Sequence, residues 1–158
     1  MHIATKSSKL DISAEEKTAQ IAYKLSSILK KGDTVFLYGE IGVGKTTFVR
    51  YLINSYQKRS NLRLTEVTSP TFNLINEYEI KELKIHHYDL FRLSNDKDLL
   101  SIGLFENNEE ILTLIEWPEK IKRKIKSSID LYFNYEKELE RRALIISGLD
   151  KKQLDGIK

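Results

Sequence analysis

Hydrophobic and polar residues follow two different periods along the chain, and the changes between the two periods predict its elements. Short apolar and β-branched runs, or runs that alternate between apolar and polar, indicate strands. Such runs lie at Thr34–Tyr38, Phe72–Tyr78, Leu83–Leu90, Ile111–Ile115, Ile129–Tyr135 and Arg141–Ser147. The run Ile111–Ile115 is the most apolar of them, so we predict that it forms a central, buried strand.

Apolar residues at helical spacing separate several of these strands. The first helical stripe follows Ser13 and Glu16, which predict a capping box, and Gly32 ends it. A second stripe runs from Thr46 to Ile53, soon after the first strand. We further predict a short edge strand before residue 13, a short helix over Asp96–Gly103, a basic helical stretch from Pro118 and a frayed tail over residues 148–158.

Strands and helices in this order predict an α/β fold. We expect one domain over residues 1–158, with a central, mostly parallel sheet flanked by helices and a C-terminal antiparallel hairpin that turns around residues 135–140. A length of 158 residues suits one domain with a substantial core.

The composition excludes several classes of function. Without cysteine the chain has no disulfide framework, no thiolate zinc site and no cysteine nucleophile. The net charge of +3 permits contact with an acidic partner or RNA but does not argue for either. No apolar run approaches the length of a membrane span, and residues 1–10 lack a signal-peptide core, so we expect a cytoplasmic protein without membrane contact.

A glycine-rich loop connects the strand Thr34–Tyr38 to the helix that follows. Its sequence, GEIGVGKT over Gly39–Thr46, matches the phosphate-binding pattern G-x-x-x-x-G-K-[ST] at every fixed position. In such a loop Lys45 places a charge on the β- and γ-phosphates, Thr46 ligates Mg²⁺, and Thr47 reaches the α-phosphate. The alternative, a glycine-rich turn with a chance Lys-Thr, is disfavoured by the strand and helix on either side. The predicted nucleotide contacts are Gly39, Glu40, Ile41, Gly42, Val43, Gly44, Lys45, Thr46 and Thr47.

Two carboxylates lie at the ends of apolar strands further along the chain. Asp89 comes at the end of the strand Leu83–Leu90, where a Walker B acid belongs, and Glu116 directly follows the strand Ile111–Ile115. The carboxyl ends of parallel strands form the edge at which α/β sheets bind ligands. Asp89 and Glu116 are therefore candidate site residues.

Two other features carry weaker signals. Pro70 fixes a rigid turn among hydroxyl residues, and Thr71 in that turn is a candidate sensor of the γ-phosphate or the metal. His86 and His87 are adjacent on a predicted strand and so point to opposite faces of the sheet. We therefore interpret them as core or surface histidines rather than metal ligands.

Four segments taken together resemble the TsaE family, also called YjeE. They are GEIGVGKTT at Gly39–Thr47, SPTF at Ser69–Phe72, HYDLFRL at His87–Leu93 and IEWPE at Ile115–Glu119. Members of this family are the ATPase component of the bacterial machinery that makes threonylcarbamoyladenosine at position 37 of tRNAs reading codons that start with A. The resemblance extends over nearly the whole chain.

The resemblance implies roles for individual residues. ATP or ADP binds on the loop, with Mg²⁺ held by Thr46, Glu116 and Asp89. The implied catalytic residues are Lys45, Thr71, Asp89 and Glu116, and residues matching Glu15, Thr18 and the turn near Glu138 also approach the nucleotide. The sequence departs from the family pattern at Phe91, where tyrosine is usual, and at Val43, where alanine is usual.

Trp117 is the only tryptophan of the chain. The resemblance implies that it lies near the nucleotide or a partner surface. We predict a partly exposed indole rather than a core tryptophan, because Pro118 ends the strand at once.

The resemblance also implies partners. A TsaD-type transferase and its TsaB-type paralogue carry out the transfer, and the ATPase binds them and uses hydrolysis to reset their complex. The implied contact with tRNA is indirect, through that complex, and the sequence leaves a direct contact open. The alternative is a small-molecule or nucleoside kinase, which needs an acceptor pocket and usually a lid that carries arginine. Candidate lid residues are Arg123, Arg141 and Arg142, but the sequence has no lid-like insertion around them. A GTPase fits less well, since Asn95–Asp98 only superficially matches N-K-x-D. A nucleotide-gated binding module without turnover is the non-enzymatic alternative.

Overall fold

The computed structural model describes residues 5–70, 73–94, 97–104, 106, 108–122, 125, 127–138 and 140–158. Its strands are β1 (Thr5–Lys6), β2 (Leu10–Asp11), β3 (Thr34–Tyr38), β4 (Ile75–Ile80), β5 (Leu83–Asp89), β6 (Ile111–Glu116), β7 (Ile129–Tyr135) and β8 (Arg142–Leu149). Its helices are α1 (Glu15–Leu25), α2 (Lys45–Arg59), α3 (Lys97–Ser101) and α4 (Lys151–Asp155), with 3₁₀ turns at Asn108–Glu110 and Pro118–Lys120. None of the helices in these ranges has the length and apolar character that a membrane span needs.

All eight strands belong to one mixed sheet. Its order is β1-β8-β7-β3-β6-β5-β4, and β2 also pairs with β8. The four central strands, β7, β3, β6 and β5, run parallel, whereas β4 and the strands beyond β7 pair antiparallel. The predicted α/β class and C-terminal hairpin are confirmed. The prediction of a mostly parallel sheet is wrong, because the tight turn at Lys81 and Glu82 joins β4 to β5 as a second hairpin.

A hydrophobic core lies on each face of the sheet. Val35 and Leu37 of β3 pack in the larger core with residues of α1, α2 and α4, whereas Phe36 faces the smaller core with Leu99 of α3. Strand β6 lies between β3 and β5, and all six of its residues are buried. The prediction of a central strand here is confirmed, and its end at Glu116 lies at the same edge as the end of β3.

The start of α1 differs from its prediction. Helix α1 begins at Glu15 after Ala14, whose side chain makes no capping bond, so the capping box of Ser13 and Glu16 is wrong. The Ser13 hydroxyl instead accepts a hydrogen bond from the backbone N–H of Arg142 at 3.0 Å. The hydroxyl oxygen that was predicted to cap α1 is therefore used in a contact with β8, far away in the sequence.

Two other helical predictions are only partly reproduced. The structure has α3 within the predicted Asp96–Gly103, of which Asp96 lies outside the described residues. After Pro118 it has a single 3₁₀ turn, and Ile121 already has extended backbone angles. The predicted basic helical stretch does not follow at once, and residues 123, 124 and 126 lie outside the described part of the chain.

The C-terminal residues, predicted as a frayed tail, instead form α4 and pack on the domain. Asp150 caps the helix by accepting a hydrogen bond from the backbone N–H of Gln153 at 2.7 Å. Leu154 and Ile157 are buried in the larger core. Lys24 of α1 donates to the carbonyl of Ile157 at 3.1 Å. The prediction failed because two apolar residues in a polar segment anchor it through distant contacts.

We expect Leu154→Ala to lower the free energy of unfolding by roughly 2–5 kcal/mol, because it removes buried methyl groups and leaves a cavity in the larger core. The matched control is Lys151→Ala, an exposed position of the same helix, which should change it by less than about 0.5 kcal/mol. Denaturant unfolding of both variants measures the difference. Equally small changes in the two variants would show that α4 adds no packing energy.

Candidate nucleotide and metal site

The loop between β3 and α2 lies at the carboxyl edge of the parallel strands, as predicted. Gly39 has φ 148°, and a Cβ added to it would stand 2.7 Å from the carbonyl oxygen of Phe133. Gly44, directly before α2, has φ 117° in the left-handed region. Both positions therefore require glycine, which explains two of the fixed residues of the motif.

The N-terminus of α2 presents unpaired backbone donors. Gly44 gives no side-chain cap, and the first turn has no acidic residue. Within the described part of the chain, the N–H groups of Lys45, Thr46 and Thr47 have no hydrogen-bond acceptor. The positive end of a 15-residue helix with free N–H groups attracts a phosphate group.

The ammonium group of Lys45 is held in the middle of this loop. The residue is only 5% exposed, and its Nζ donates to the carbonyl of Gly39. The same Nζ lies 3.9 Å from the ring centroid of Trp117, a cation–π contact. Burial lowers the pKa of Lys45, and the carboxylates of Glu116, Glu119 and Asp89 oppose that shift. Its positive charge is thus balanced by nearby acids.

Glu116 contacts the residue that follows this lysine. The hydroxyl of Thr46 lies 3.0 Å from each carboxylate oxygen of Glu116, which is 2% exposed at the end of β6. Oε2 of Glu116 also lies 2.6 Å from Nε2 of the buried His87. A hydroxyl and a carboxylate meeting at one point are the hard oxygen ligands that Mg²⁺ prefers.

Asp89 lies at the same sheet edge, but its carboxylate is bonded elsewhere. Asp89 and Glu116 are directly paired across β5 and β6, so both side chains emerge on one face. One oxygen of Asp89 accepts from the hydroxyl of Ser69, and the other accepts from the backbone N–H of Phe91 at 3.0 Å. The structure therefore brings both predicted acids to the site but joins only Glu116 to Thr46. Ser69 was not predicted as a site residue, although its hydroxyl-rich turn was the available signal.

The remaining predicted residues are more scattered. Glu15 accepts from Arg50 at 2.8 Å and from the Tyr51 hydroxyl at 2.7 Å, on the exposed side of α2. Thr18 is buried on α1. Thr71 lies outside the described residues. Of the loop residues, Glu40, Ile41 and Gly42 are exposed, whereas Val43 is buried in the larger core.

Glu138 lines a cavity of about 490 Å³ together with Ser13, Arg141 and Arg142. This cavity adjoins the loop, because Nη1 of Arg142 lies 3.9 Å from the place a Cβ would take on Gly44. The sequence suggested Arg142 only as a candidate lid residue. Its place beside the loop depends on the pairing of β8 with β7, which the local sequence does not show.

The donor set suits Mg²⁺ that is shared with a phosphate ligand. Among the described residues, no group of three or more His, Asp, Glu and Cys side chains converges as a metal cage. Mg²⁺ is commonly held by one or two carboxylates together with substrate phosphates and water. Thr46 and Glu116 can hold it in that way, with Asp89 nearby.

The two histidines occupy different environments on opposite faces of β5. Nε2 of His86 lies 3.7 Å from Glu77, and burial lowers the pKa of His86 while Glu77 opposes that shift. His87 is fully buried against Glu116, a contact that was not predicted from the sequence. The signal available was its position two residues before Asp89, on the same strand face.

Trp117 lies over the site with a partly exposed indole, as predicted. Its backbone has φ 60° and ψ 48°, which turns the chain sharply after β6. Its ring contacts Lys45 on one side and lies 4.9 Å, between centroids, from the ring of Phe91. A ligand that draws Lys45 away therefore changes the surroundings of the indole.

We expect the fluorescence of Trp117 to change on addition of ATP with Mg²⁺, because phosphate draws the Lys45 ammonium from the face of the ring. Trp117 is the only tryptophan, so the signal has one source. The control is Lys45→Ala, which keeps the indole and should lose most of the response. Unchanged emission at an ATP concentration shown by calorimetry to saturate the protein would contradict this arrangement.

A family model described as threonylcarbamoyl adenosine biosynthesis protein TsaE matches residues 12–144. This chain belongs to the TsaE family. A relative from Rickettsia conorii, named tRNA threonylcarbamoyladenosine biosynthesis protein TsaE, is 39% identical over 111 residues. That alignment covers 70% of this chain and 61% of the relative. A TsaE from Nostoc is 33% identical over 142 residues, which cover 87% of this chain and 84% of that one.

The fold agrees with that of a solved structure. The crystal structure of YdiB from Bacillus subtilis superposes with a TM-score of 0.72 at 22% identity, covering 99% of this chain and 94% of that one. At this level of identity the likeness concerns the fold alone. The TsaE resemblance of the four sequence segments is confirmed by the family match, which includes all four.

Proposed function

We propose that this chain is a Mg²⁺-dependent ATPase that binds and resets a TsaB/TsaD-type complex, which makes N6-threonylcarbamoyladenosine at position 37 of tRNAs reading codons that start with A. One observation supports the ATPase activity most strongly. Lys45, Thr46 and Glu116 meet at the uncapped N-terminus of α2. The pathway is proposed from the family and from the names of the relatives.

In this proposal the chain binds the triphosphate through its backbone and a single buried cation. The free N–H groups at the start of α2 take phosphate oxygens, and Lys45 exchanges the carbonyl of Gly39 for the β- and γ-phosphates. The nucleoside extends toward the cavity beside Arg142 and Glu138.

Mg²⁺ bound here would neutralise charge on the phosphates, and Thr46 and Glu116 are the residues that would hold it. Asp89 has the different task of orienting the attacking water. In this structure its carboxylate accepts a hydrogen bond from the hydroxyl of Ser69. We propose that the attacking water replaces this bond through a rearrangement of the turn that carries Ser69.

A partner protein is a suitable trigger for that rearrangement. Two apolar side chains stand exposed beside the site, Ile41 at 66% and Phe91 at 45%. Phe91 also gives its backbone N–H to Asp89, and its ring contacts Trp117. A partner that covers Phe91 acts directly on the segment that holds Asp89, so we propose that turnover depends on the TsaB/TsaD-type pair.

Phosphate release from ATP tests this proposal. The purified chain is assayed alone, with the partner pair, and with the pair and Lys45→Ala in place of the wild-type chain. We expect release to rise with the partners only for the wild-type chain. ATP binding without release in any mixture would indicate a nucleotide-gated binding module. Phosphate transferred to a small molecule instead of water would indicate a kinase.

A further inference from the structure

His87 is a buried histidine that the proposed hydrolysis does not use. It lies on β5 two residues before Asp89, and its side chain is completely buried. Its Nε2 lies 2.6 Å from Oε2 of Glu116. Since the same carboxylate reaches the hydroxyl of Thr46 at 3.0 Å, a chain of hydrogen bonds leads from the core to the metal position.

The direction of the bond follows from the chemistry of the two groups. A carboxylate that is ionised, as a Mg²⁺ ligand must be, has no proton to give, so Nε2 of His87 carries the hydrogen. Such a bond to a charged acceptor is stronger than a neutral one. The other ring nitrogen, Nδ1, is buried and has no hydrogen-bond partner within the described residues. Among the described residues, Glu116 is therefore the only hydrogen-bond partner of the His87 side chain.

A purely structural role explains these facts poorly. If His87 only filled the core, an apolar side chain of similar size would serve better, because burying Nδ1 without a partner costs free energy. The one favourable contribution that histidine makes and an apolar residue lacks is its hydrogen bond to Glu116. That bond therefore points to a task for the carboxylate.

Two groups near the start of α2 attract the carboxylate of Glu116: the hydroxyl of Thr46 and the ammonium group of Lys45. Of the three acids that raise the pKa of Lys45, Glu116 has the largest effect. A glutamate freed from its second partner can turn toward that ammonium and away from Thr46. Residues that hydrogen-bond to a metal ligand, including to a ligating carboxylate, commonly fix the orientation of the ligand and so raise the affinity for the metal.

We propose that His87 is a positioning residue that holds the carboxylate of Glu116 toward Thr46 and so sets the affinity of the nucleotide-bound site for Mg²⁺. The inference rests on the proposed function, because it assumes that Mg²⁺ binds with ATP at Thr46 and Glu116. It assigns to the fully buried His87 no direct contact with the nucleotide or the metal.

The test compares His87→Gln with His87→Met. The two new side chains have the same length, and the Nε2 amide of glutamine is three bonds from Cβ, as is Nε2 of histidine. Glutamine can therefore donate to Glu116, whereas methionine cannot. Affinity for a non-hydrolysable ATP analogue is measured by calorimetry over a series of Mg²⁺ concentrations and also in EDTA, and thermal unfolding is followed for each variant.

Mg²⁺ should raise the affinity for the ATP analogue. We expect His87→Met to increase the Mg²⁺ concentration needed for half of that gain by about 10- to 100-fold, the range found for residues that support a metal ligand. His87→Gln should stay within about threefold of wild type. Affinity in EDTA should be the same in all three proteins, and the melting temperature of His87→Met should be no lower than that of His87→Gln. Should His87→Met fail to fold, His87→Asn, whose amide is too short to reach Glu116, takes its place.

Equal Mg²⁺ dependence in the glutamine and methionine variants would overturn the proposal. So would a loss of affinity that is as large in EDTA as in Mg²⁺, since that result indicates a general distortion of the loop. Failure of the proposed function looks different, because the wild-type protein itself would then bind the analogue equally well with and without Mg²⁺.

Discussion

Lys45→Ala is expected to weaken ATP binding by about 10- to 150-fold, which corresponds to roughly 1.5–3 kcal/mol for hydrogen bonds to a charged group. The variant removes the one buried cation that the loop directs at the β- and γ-phosphates. Three acids, Glu116, Glu119 and Asp89, already favour the charged form of Lys45. Phosphate oxygens would add to that stabilisation of the ammonium group. Calorimetry with ATP and Mg²⁺ measures the loss.

Two controls separate charge from packing in this experiment. Lys45→Met keeps the aliphatic stem under the ring of Trp117, so a similar loss in that variant assigns the effect to the ammonium group. Lys58→Ala changes an exposed lysine at the other end of the same helix and should leave ATP affinity unchanged. Normal affinity in both Lys45 variants would contradict the assignment of this loop as the phosphate site.

The second large effect separates the two carboxylates. Glu116→Gln is expected to lose Mg²⁺-dependent ATP affinity and turnover together, because Glu116 contacts Thr46 directly and would hold the metal. Asp89→Asn is expected to keep ATP bound and lose turnover by roughly 10²–10⁴-fold, the range for a group that acts on the nucleophile. The structure supports this division, since Asp89 lies beside Glu116 without a bond to Thr46.

ATP affinity with and without Mg²⁺, and turnover stimulated by the partner pair, are measured for both variants. Glu110→Gln, an exposed acid immediately before the opposite end of β6, is the matched control and should behave as wild type. Near-normal turnover in both site variants would rule out a site built on two carboxylates. The reverse pattern would exchange the two roles and leave the site in place.

The loop and its flanking elements were predictable because their signals are local. Glycines fixed by backbone angles and close contacts, an apolar strand before them and a helical stripe after them all lie within one short stretch. The carboxylates Asp89 and Glu116 were also predictable, since each lies at the end of an apolar strand and parallel strands end at one edge.

Features that depend on distant pairing were not predictable in the same way. Lys81 adopts φ 54° in a turn without glycine or asparagine, so the usual turn residues of a hairpin are missing between β4 and β5. The one signal for this hairpin was the gap of only four residues between the predicted strands Phe72–Tyr78 and Leu83–Leu90, which is too short for a parallel connection. Leu154 and Ile157 looked like isolated apolar residues until the fold placed them in the larger core. The contact of His87 with Glu116 depends on the register of β5 against β6, which a single sequence does not encode visibly.

Formation of the modified nucleoside by a reconstituted TsaB/TsaD-type pair tests the proposed resetting role most directly. The amount of product per partner complex is counted with excess tRNA, ATP and Mg²⁺, in the presence of wild-type chain, Lys45→Ala or neither. We predict that only the wild-type chain allows repeated rounds, and that the other mixtures stop after a single round. Repeated rounds without the chain, or equal stimulation by Lys45→Ala, would contradict a reset driven by ATP hydrolysis at this site.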